Sequence, residues 1–543
     1  MVNRRQFLSG AAVAATPFIV SRRAVAVPAV THGTRWLDDF PSRHEIVHAA
    51  LDAARAAGAV YADVHIRDVV DELWGFPGMV YAAPRCGTRS SVSVRALIGG
   101  TWGTEYVDGV LTLDAAAHAG RTAALQAKGA ATHTATGRGA RIELAPTPVV
   151  TGEWVMPVEI DPFTVSLQEK IDFVHATTSA VQRLRTGIET FTSLEFRKER
   201  RTCGTSDGTL TTQTTYCTHG DLQVTVSPDW AFEREGSQSG NFLTAKGAGW
   251  EYVRTAPWRE QAETLIARAI DKQSAEPVEF GRYDIVFDAH AMAAIVDATI
   301  GQATALDRAM GDRANDEGTS YLSDPLVMLG TYQAGSPRLT VTTDRSMPGG
   351  AATVRWDEEG VVPSEVMLIQ RGVVTDFQTT RESASWLASH YASRGRPVRS
   401  NGCAGAGTQD TSVVTSTPNL TLHPGASDLS FADLVKGVRR GLAVLGGTAE
   451  SDYQCLNGSG MGGIVYEIRN GALGPAQRGV QYFYRAPEFW KNVTALGGAR
   501  SAEHVGRIRW VSDTDDQIAH TVSAVPALVP GIAVENFLRS AQL

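Results

Sequence analysis

The sequence predicts a mixed α+β fold, with an N-terminal α/β domain followed by a β-rich C-terminal domain. Two observations lead to this prediction. Helical and strand-like periodicities alternate as far as residue 273, whereas short strand-like runs punctuated by glycine and asparagine dominate after residue 281. The chain has 543 residues, of which 43% are hydrophobic and 20% charged, so it is long enough for two cores and has an ordinary globular composition.

Residues 1–26 are predicted to be an export signal. Arg4 and Arg5 precede a Phe-Leu pair and a weakly apolar run, and Ala24 with Ala26 forms an A-x-A cleavage site. Paired arginines followed by x-Phe-Leu resemble a twin-arginine signal, whose pathway carries folded proteins. The apolar run is short for a bilayer span. We therefore expect a periplasmic or otherwise exported protein with no membrane attachment after processing.

Charge and cysteine content exclude some classes of protein. A formal net charge of −8 argues against a nucleic-acid surface, which needs clustered lysine and arginine. The sequence contains no C-x-x-C spacing, so it does not predict a zinc site formed by cysteines. Cys203 and Cys217 flank a predicted hairpin and could form a disulfide in an oxidising compartment, but the pairing stays open. The five cysteines are Cys86, Cys203, Cys217, Cys403 and Cys455.

The N-terminal domain, predicted at residues 40–273, combines helices with long strands. Helices are predicted at 42–57, 113–128, 167–185 and 258–272, and strands at 60–66, 92–106 and 188–227. Glycines 99–100 and the Ser206-Asp207-Gly208 run suit tight turns. Residues 274–281 are the predicted linker to the C-terminal domain, which is predicted at 281–543.

The C-terminal domain opens with an apolar strand, Tyr283–Phe287, and a helix that starts at Ala289. Apolar residues recur there at three- and four-residue steps, which is the spacing of one buried helix face. Asp288 is placed to cap this helix, because its carboxylate can accept unpaired N–H groups of the first turn. A further helix is predicted at 430–445, and the remainder is predicted to be mostly strand.

The sharpest short motif is H-E-x-x-H, formed by His44, Glu45 and His48. On a helix the two histidines share one face and can bind Zn²⁺, while the glutamate activates a bound water. A structural interpretation competes, because Ser42 and Glu45 also fit an S-x-x-E capping box at the start of the first helix. Glu72 is a candidate third ligand, but it is predicted beside a strand. We favour the capped helix and keep the zinc site as the alternative.

Two other polar features are weaker. The acidic run 357–359 could hold a cation, but acidic runs at strand ends are usually solvated turns. His290, on the helix after Asp288, is more typical of a hydrogen-bonded histidine than of a metal ligand. Neither a G-x-S-x-G nucleophile motif nor a phosphate-binding loop is present.

Five sequence blocks, in order, resemble the TldD/PmbA family, also called modulator of DNA gyrase. The likeness covers nearly the whole mature chain and implies an N-terminal α/β domain, a β-rich C-terminal domain and a dimer. The blocks are ADVHIR at 62–67, SVR at 93–95 with GGTWG at 99–103, WDEEG at 356–360 with MLIQRGV at 367–373, 415–425 with 431–445, and VYEIRNG at 465–471 with QRG at 477–479.

The resemblance also implies where a zinc site belongs. TldD-type chains carry H-E-x-x-x-H on the helix after the first C-terminal strand, use a cysteine near the C-terminus as third ligand, and cleave peptides. PmbA-type chains lack the motif and pair with a TldD-type chain. Aligned through residues 301–307, this chain has Ile295, Val296 and Ile300 at the His, Glu and His positions. None of these can ligate zinc, and the expected place of the cysteine, residues 512–515, holds none.

The sequence therefore predicts a metallopeptidase-related protein that is the non-catalytic subunit of a peptide-degrading or peptide-processing complex. We expect a homodimer or a heterodimer with a TldD-type catalytic subunit, a peptide substrate and no nucleic acid. No cofactor is predicted, since zinc belongs to the catalytic relatives. Two alternatives remain: a zinc metallopeptidase with His44 and His48 as ligands and Glu45 as catalytic residue, or a periplasmic peptide-binding protein. Whether the chain is an enzyme thus stays open.

Overall fold

The computed structural model describes residues 42–76, 85–134, 141–226, 243–315, 317–406, 413–416, 418–510 and 517–540. The predicted export-signal residues Arg4, Arg5, Ala24 and Ala26 lie outside the described residues, as does the 512–515 segment. Among the described helices, none has the length and apolar character needed to cross a bilayer.

The N-terminal part is built on a mostly antiparallel sheet of long strands. The strands are β1 (Tyr61–Phe76), β2 (Arg85–Ile98), β3 (Thr101–Asp108), β4 (Thr151–Val155), β5 (Ile188–Thr205), β6 (Leu210–Val226) and β7 (Leu243–Lys246). The helices are α1 (Arg43–Ala56), α2 (Leu113–Thr134), α3 (Leu167–Gln182), α4 (Trp250–Thr255) and α5 (Trp258–Gln273), with a 3-10 turn at Pro162–Thr164. The strand order is β3-β2-β1-β5-β6-β4, with β7 beside β6.

The two faces of this sheet differ in chemistry, because successive residues of a strand point to opposite faces. On one face Val64 and Val94 share an apolar core with residues of α1 and α2. On the other face Asp63 and Arg95 form a buried ion pair, with Nη2 and Oδ2 2.6 Å apart. Arg95 also reaches Glu359 of the C-terminal part at 3.3 Å. The charged face of the sheet therefore meets the C-terminal part.

The C-terminal part consists of many short strands and short helices. Its strands are β8 (Glu276–Pro277), β9 (Gly281–Phe287), β10 (Val341–Thr343), β11 (Val366–Gln370), β12 (Val373–Val374), β13 (Ala404–Ala406), β14 (Val413–Thr415), β15 (Leu420–Leu422), β16 (Arg440–Leu445), β17 (Thr448–Ser451), β18 (Asn457–Met461), β19 (Ile464–Arg469), β20 (Ala472–Arg478), β21 (Val480–Arg485), β22 (Ala495–Leu496), β23 (Glu503–Trp510), β24 (Gln517–Ala524) and β25 (Ala527–Asn536). Its helices are α6 (Ala289–Val296), α7 (Leu306–Ala309), α8 (Pro325–Met328), α9 (Arg381–Ser385), α10 (Ala388–Ser393), α11 (Phe431–Lys436), α12 (Ala486–Lys491) and α13 (Phe537–Ser540), with a π-helical turn at Asp297–Gly301 and a 3-10 turn at Ala499–Ser501.

Two larger sheets of the described residues enclose the core of this part. One has the order β17-β18-β21-β25-β9-β16-β19-β20-β8, with β22 beside β25, and the other has the order β12-β11-β10-β15-β24-β23. The helix α6 belongs to the same apolar core as Phe287 of the first sheet and Val522 of the second. Asp288 caps α6 as predicted, since its Oδ1 accepts the Ala291 N–H at 2.8 Å.

The prediction of a helix at 430–445 is wrong for the second half of that segment. The helix α11 ends at Lys436, and β16 follows as an inner strand that pairs in parallel with β9. Gly441 permits this pairing, because a Cβ there would lie 2.1 Å from the carbonyl oxygen of Asp284. The close approach of two backbones therefore decides the structure of this segment.

The predicted linker, residues 274–281, is packed rather than free. Glu276 and Pro277 pair in parallel with β20, and Val278 is buried in the core of the C-terminal part. The described residues, which begin at Ser42, form one compact unit. The domain bounds 40–273 and 281–543 stay a prediction, while the mixed α+β architecture with a strand-rich C-terminal part is confirmed.

Two smaller expectations are corrected. Ser42 precedes α1, but its side chain makes no capping hydrogen bond, so the predicted capping box is wrong. The start of α1 is instead fixed by Arg43, whose guanidinium makes two hydrogen bonds to the buried Asp68 of β1. Cys203 and Cys217, the candidate disulfide, are both free thiols, as are Cys403 and Cys455.

Candidate functional site

The helix α6 and the turn after it occupy the place where the family resemblance expects a zinc site. Ile295, Val296 and Ile300 each have 0% of their surface exposed. They lie in one apolar core with side chains from both sheets. The predicted apolar stripe is therefore a packed interior surface, with no polar group at these three positions.

A π-helical turn follows α6 directly, at Asp297–Gly301. The N–H of Gln302 donates to the carbonyl oxygen of Asp297 at 3.3 Å, which adds one residue to the ordinary helical turn. Within this turn the hydroxyl of Thr299 donates to the Ile295 carbonyl at 2.5 Å and accepts from the Trp490 indole at 3.0 Å. Such turns are frequent at functional sites. Here the turn brings the one acidic side chain of the segment, Asp297, to face β24.

Asp297 forms a buried polar cluster with β23 and β24. Its Oδ1 lies 3.0 Å from Nε2 of His520, which is fully buried, and its Oδ2 lies 3.5 Å from Nε of Arg507. Burial alone would raise the pKa of Asp297, but His520 and then Arg509 and Arg507 outweigh it and hold that pKa well below its usual range. Asp297 is therefore a buried carboxylate held between His520 and the guanidinium of Arg507.

This cluster does not fit a zinc ion. Zinc in proteins takes four ligands, or three and a water, from cysteine, histidine and carboxylate groups. Here one carboxylate and one imidazole bond to each other, and the guanidinium of Arg507 adds positive charge beside them. Within the described part of the chain, no group of three or more His, Cys, Asp and Glu side chains is arranged to hold a metal ion.

The H-E-x-x-H residues lie on α1, which is far from α6 in the chain and belongs to the N-terminal part of the structure. Glu45 and His48 are exposed, and Nε2 of the half-buried His44 lies 3.3 Å from the Thr212 hydroxyl of β6. Glu72, the candidate third ligand, is instead a buried partner of Lys170 on α3. Glu72 is therefore engaged elsewhere, and the zinc interpretation of His44 and His48 stays a prediction without an identified third ligand.

The acidic run 357–359 departs most from expectation. The exposed fraction is 1% for Asp357, 5% for Glu358 and 1% for Glu359, so the prediction of a solvated turn is wrong. Glu358 binds Arg201 of β5 at 2.8 Å, and Glu359 binds Arg95 of β2 at 3.3 Å. These arginines come from the charged face of the N-terminal sheet. The run therefore ties the two parts of the chain together.

Asp357 is held differently from its two neighbours. Its carboxylate accepts backbone N–H groups of Glu359, Val361 and Ala404 at 2.9 to 3.1 Å. Burial and then the nearby Glu359 raise the pKa of Asp357 to about 7. Burial also opposes ionisation of Glu358, but Arg201 and His65 lower its pKa to about 2.

His65 of β1 bridges both parts of the chain. Its Nε2 lies 3.0 Å from Oδ1 of Asp63, and its Nδ1 lies 3.7 Å from Oε2 of Glu358. Burial by itself lowers the pKa of an imidazole, but Asp63 outweighs it and raises the pKa of His65 well above its ordinary value. His65 thus lies buried between two carboxylates, which favour its protonated form.

A cavity of about 100 Å³ opens beside His65, between the charged sheet face and the C-terminal strands. Residues of β1, β5 and β6 form one wall, and residues 351–354 with Ile508 and Ala519 form another. His290, on α6, points elsewhere and bonds to Glu503 at 2.9 Å, as expected for a hydrogen-bonded histidine.

The geometry described above agrees with comparisons to known proteins. Residues 280–538 match the family model of the PmbA/TldA metallopeptidase C-terminal domain. The C-terminal part of the chain therefore carries a domain of the TldD/PmbA family. The expected resemblance is thereby confirmed, and the strand-rich part of the chain corresponds to that domain.

Two curated relatives of this chain are described as metalloproteases. One, from Methanothermobacter thermautotrophicus, is 23% identical over 281 residues, which is 49% of this chain and 54% of the relative. The other, from Methanocaldococcus jannaschii, is 23% identical over 179 residues, 33% of this chain and 35% of the relative. The matched stretch thus spans about half or less of these relatives.

Solved structures share the fold over nearly the whole described chain. TldE from Thermococcus kodakarensis superposes with a TM-score of 0.68 at 13% identity, covering 90% of this chain and 99% of that one. A protein of Thermotoga maritima described as a modulator of a DNA gyrase gives a TM-score of 0.66 at 14% identity, covering 91% and 100%. These likenesses confirm the predicted fold of the TldD/PmbA type.

Sequence reasoning identified the position of α6 but missed the polar residues around it. Asp297 lies next to Val296 in the sequence, yet its partner His520 is 223 residues away. A signal did exist, because a lone acidic residue interrupts an otherwise apolar helix. The arginines that pair with the acidic run lie far from it in the sequence, so no local pattern predicts that the run is buried.

Proposed function

We propose that this TldD/PmbA-family protein is a non-catalytic member of the family. The observation that supports this most is the complete burial of Ile295, Val296 and Ile300, at the positions where the resemblance expects the catalytic His-Glu-His set. Side chains of the core occupy the space in which a metal, a water and a peptide carbonyl would have to meet. Restoring ligands would require the surrounding core to be rebuilt.

Its proposed role is to assemble with a motif-bearing relative and help to bind the peptide that the relative cleaves. The curated relatives described as metalloproteases support a link to peptide hydrolysis, although the matched stretch covers at most 54% of either. The signal-like residues 1–26 support a site of action outside the cytoplasm. A homodimer that binds peptides without cleaving them is the alternative arrangement.

The partner role is tested by mixing purified protein with a TldD/PmbA-family protein from the same organism that carries H-E-x-x-x-H. Hydrolysis of an unfolded protein and of short peptides is measured for each protein alone and for the mixture, with size-exclusion chromatography to detect a complex. We expect a mixed complex whose rate differs from that of the motif-bearing protein by at least about threefold. Separate elution with unchanged rates contradicts the partner role.

A further inference from the structure

The cavity beside His65 is lined by more basic than acidic side chains. Four arginines and three glutamates line it, in addition to His65. The arginines are Arg67, Arg197, Arg201 and Arg345, and the glutamates are Glu195, Glu199 and Glu358. Asp63 pairs with His65, and Asp71 pairs with Arg197 at 2.6 Å, although neither aspartate lines the cavity. An anion is therefore attracted by a cation of the walls that has no such partner, because low-dielectric walls weaken screening by water.

The glutamates are already engaged by the sheet. Oε1 of Glu199 is shared between Arg67 at 2.6 Å and Arg201 at 2.5 Å. Glu358 binds Arg201 at 2.8 Å, and Glu195 lies 3.2 Å from His219. These pairings hold the sheet wall in place, and none of the three carboxylates is paired with the fourth arginine.

Arg345 is that fourth arginine, and it is 5% exposed. Its Nη1 donates to the carbonyl oxygen of Ala404 at 2.5 Å and its Nε to that of Ala352 at 3.4 Å. Both acceptors are neutral, and no carboxylate of a described residue lies within ion-pair distance of this guanidinium. A buried charge without a counterion is costly. Burial and next the neighbouring Arg201 lower the pKa of Arg345, and they outweigh Asp357 and Glu358, which raise it from beyond ion-pair distance.

The cavity is small, and one part of its wall is apolar. Val354 and Ile508 line it, together with Ala352 and Ala519. A volume of about 100 Å³ holds several water molecules or a short hydrocarbon chain with a polar head. A planar guanidinium fork beside such walls matches a carboxylate on a short aliphatic chain.

We propose that this cavity is a binding site for a carboxylate on a short aliphatic chain, with Arg345 donating hydrogen bonds to the carboxylate. Val354 and Ile508 contact the hydrocarbon. The carboxylate comes either from a small free acid or from the C-terminal residue of a peptide. No residue of α6 or of the turn after it lines the cavity, so the test of this site does not require the chain to be catalytic or non-catalytic.

Isothermal titration of the full chain tests this assignment with two matched pairs of probes. The small-acid arm compares isovalerate with isovaleramide, and the peptide arm compares Ala-Ala-Val with its C-terminal amide. We expect saturable binding of the acid and at least tenfold weaker binding of the amide in one or both arms. The arm that binds more tightly identifies the source of the carboxylate. Absence of saturable binding in both arms, or equal binding of acid and amide, overturns the proposal.

Three variants locate the binding. Arg345→Gln is expected to weaken acid binding at least tenfold, whereas Arg355→Gln, an exposed arginine on the same segment, leaves it unchanged. Ala351→Leu narrows the cavity without altering a charge and is expected to weaken binding similarly. Circular dichroism confirms that each variant is folded. Undiminished binding by folded Arg345→Gln, or by Ala351→Leu should the arginine variant not fold, contradicts the site.

Discussion

At the scale of single residues, the protein buries two contrasting kinds of side chain. Apolar side chains stand at the expected ligand positions, while charges are buried where they tie two sheets together. Ile300 illustrates the first case and Glu358 the second. Burial of an isoleucine stabilises through packing. Burial of a carboxylate is tolerated only with a partner such as Arg201.

Ile300→Ala tests the packing. A fully buried isoleucine leaves a cavity when truncated, so we expect the free energy of unfolding to fall by about 2–5 kcal/mol. Leu326→Ala removes a side chain that is 44% exposed and serves as the control, with an expected change within about 0.5 kcal/mol. Urea denaturation measures both. A loss below about 1 kcal/mol for Ile300→Ala would mean that this position is not packed as described.

His65→Gln tests the buried imidazolium. The folded pKa of His65 is raised, so the stability that it contributes is complete below about pH 6.5, the ordinary histidine pKa, and is lost as the pH rises through the folded value. Wild type should therefore lose more free energy of unfolding than His65→Gln as the pH increases above 6.5. The exposed His118→Gln should follow wild type. Parallel curves for wild type and His65→Gln exclude a charged His65.

At the scale of secondary-structure elements, helix starts show how local and long-range causes compete. Ser42 has the residue type of an N-cap, yet Arg43 and Asp68 decide where α1 begins. Asp288 fulfils its local signal, and its carboxylate additionally accepts the Gly446 N–H at 3.0 Å. A residue of the N-cap type therefore makes no capping hydrogen bond at α1, whereas it does cap α6.

Asp288→Ala and Ser42→Ala form a matched pair for this claim. Removing a cap that accepts backbone N–H groups costs about 0.5–2 kcal/mol. We expect a loss in that range for Asp288→Ala and a change within about 0.5 kcal/mol for Ser42→Ala, measured by denaturant unfolding. Comparable losses in the two variants would show that Ser42 does cap α1.

The elements that the sequence predicted well are those with local signals. The hairpin of β5 and β6 alternates along its length, and α6 has both a cap and an apolar stripe. The β16 segment was mistaken for helix because its apolar spacing suits both structures, and only the contact of Gly441 with Asp284 separates them. The burial of Glu359 was unpredictable for a related reason, since Arg95 is 264 residues away.

At the scale of the whole molecule, the N-terminal sheet is joined to the C-terminal part by buried ion pairs between arginines of the sheet and the acidic run 357–359. The family fold supplies the scaffold, and the side chains of the α6 region and of these ion pairs give this chain its own chemistry. The proposed export concerns residues 1–26, which lie outside the described residues, and the proposed partnership concerns a second protein. Each is therefore tested by its own experiment.

Export is tested by replacing Arg4 and Arg5 with Lys. The twin-arginine pathway recognises the arginine pair itself, so the double variant should accumulate as unprocessed precursor in the cytoplasm. Cell fractionation and the N-terminal sequence of the mature protein measure the outcome. A variant with Lys at position 3 in place of Asn3 keeps the pair and is the control. Normal processing of the double variant contradicts twin-arginine export.

The most direct measurement of the central claim is peptide hydrolysis by the purified chain alone, with and without added zinc and with and without a chelator. We expect no chelator-sensitive hydrolysis of unfolded protein or short peptides, and no stoichiometric zinc by atomic emission. His44→Ala and His48→Ala should leave both results unchanged. Hydrolysis that a chelator abolishes and zinc restores would contradict the non-catalytic assignment, and its loss in the two histidine variants would place the active site on α1.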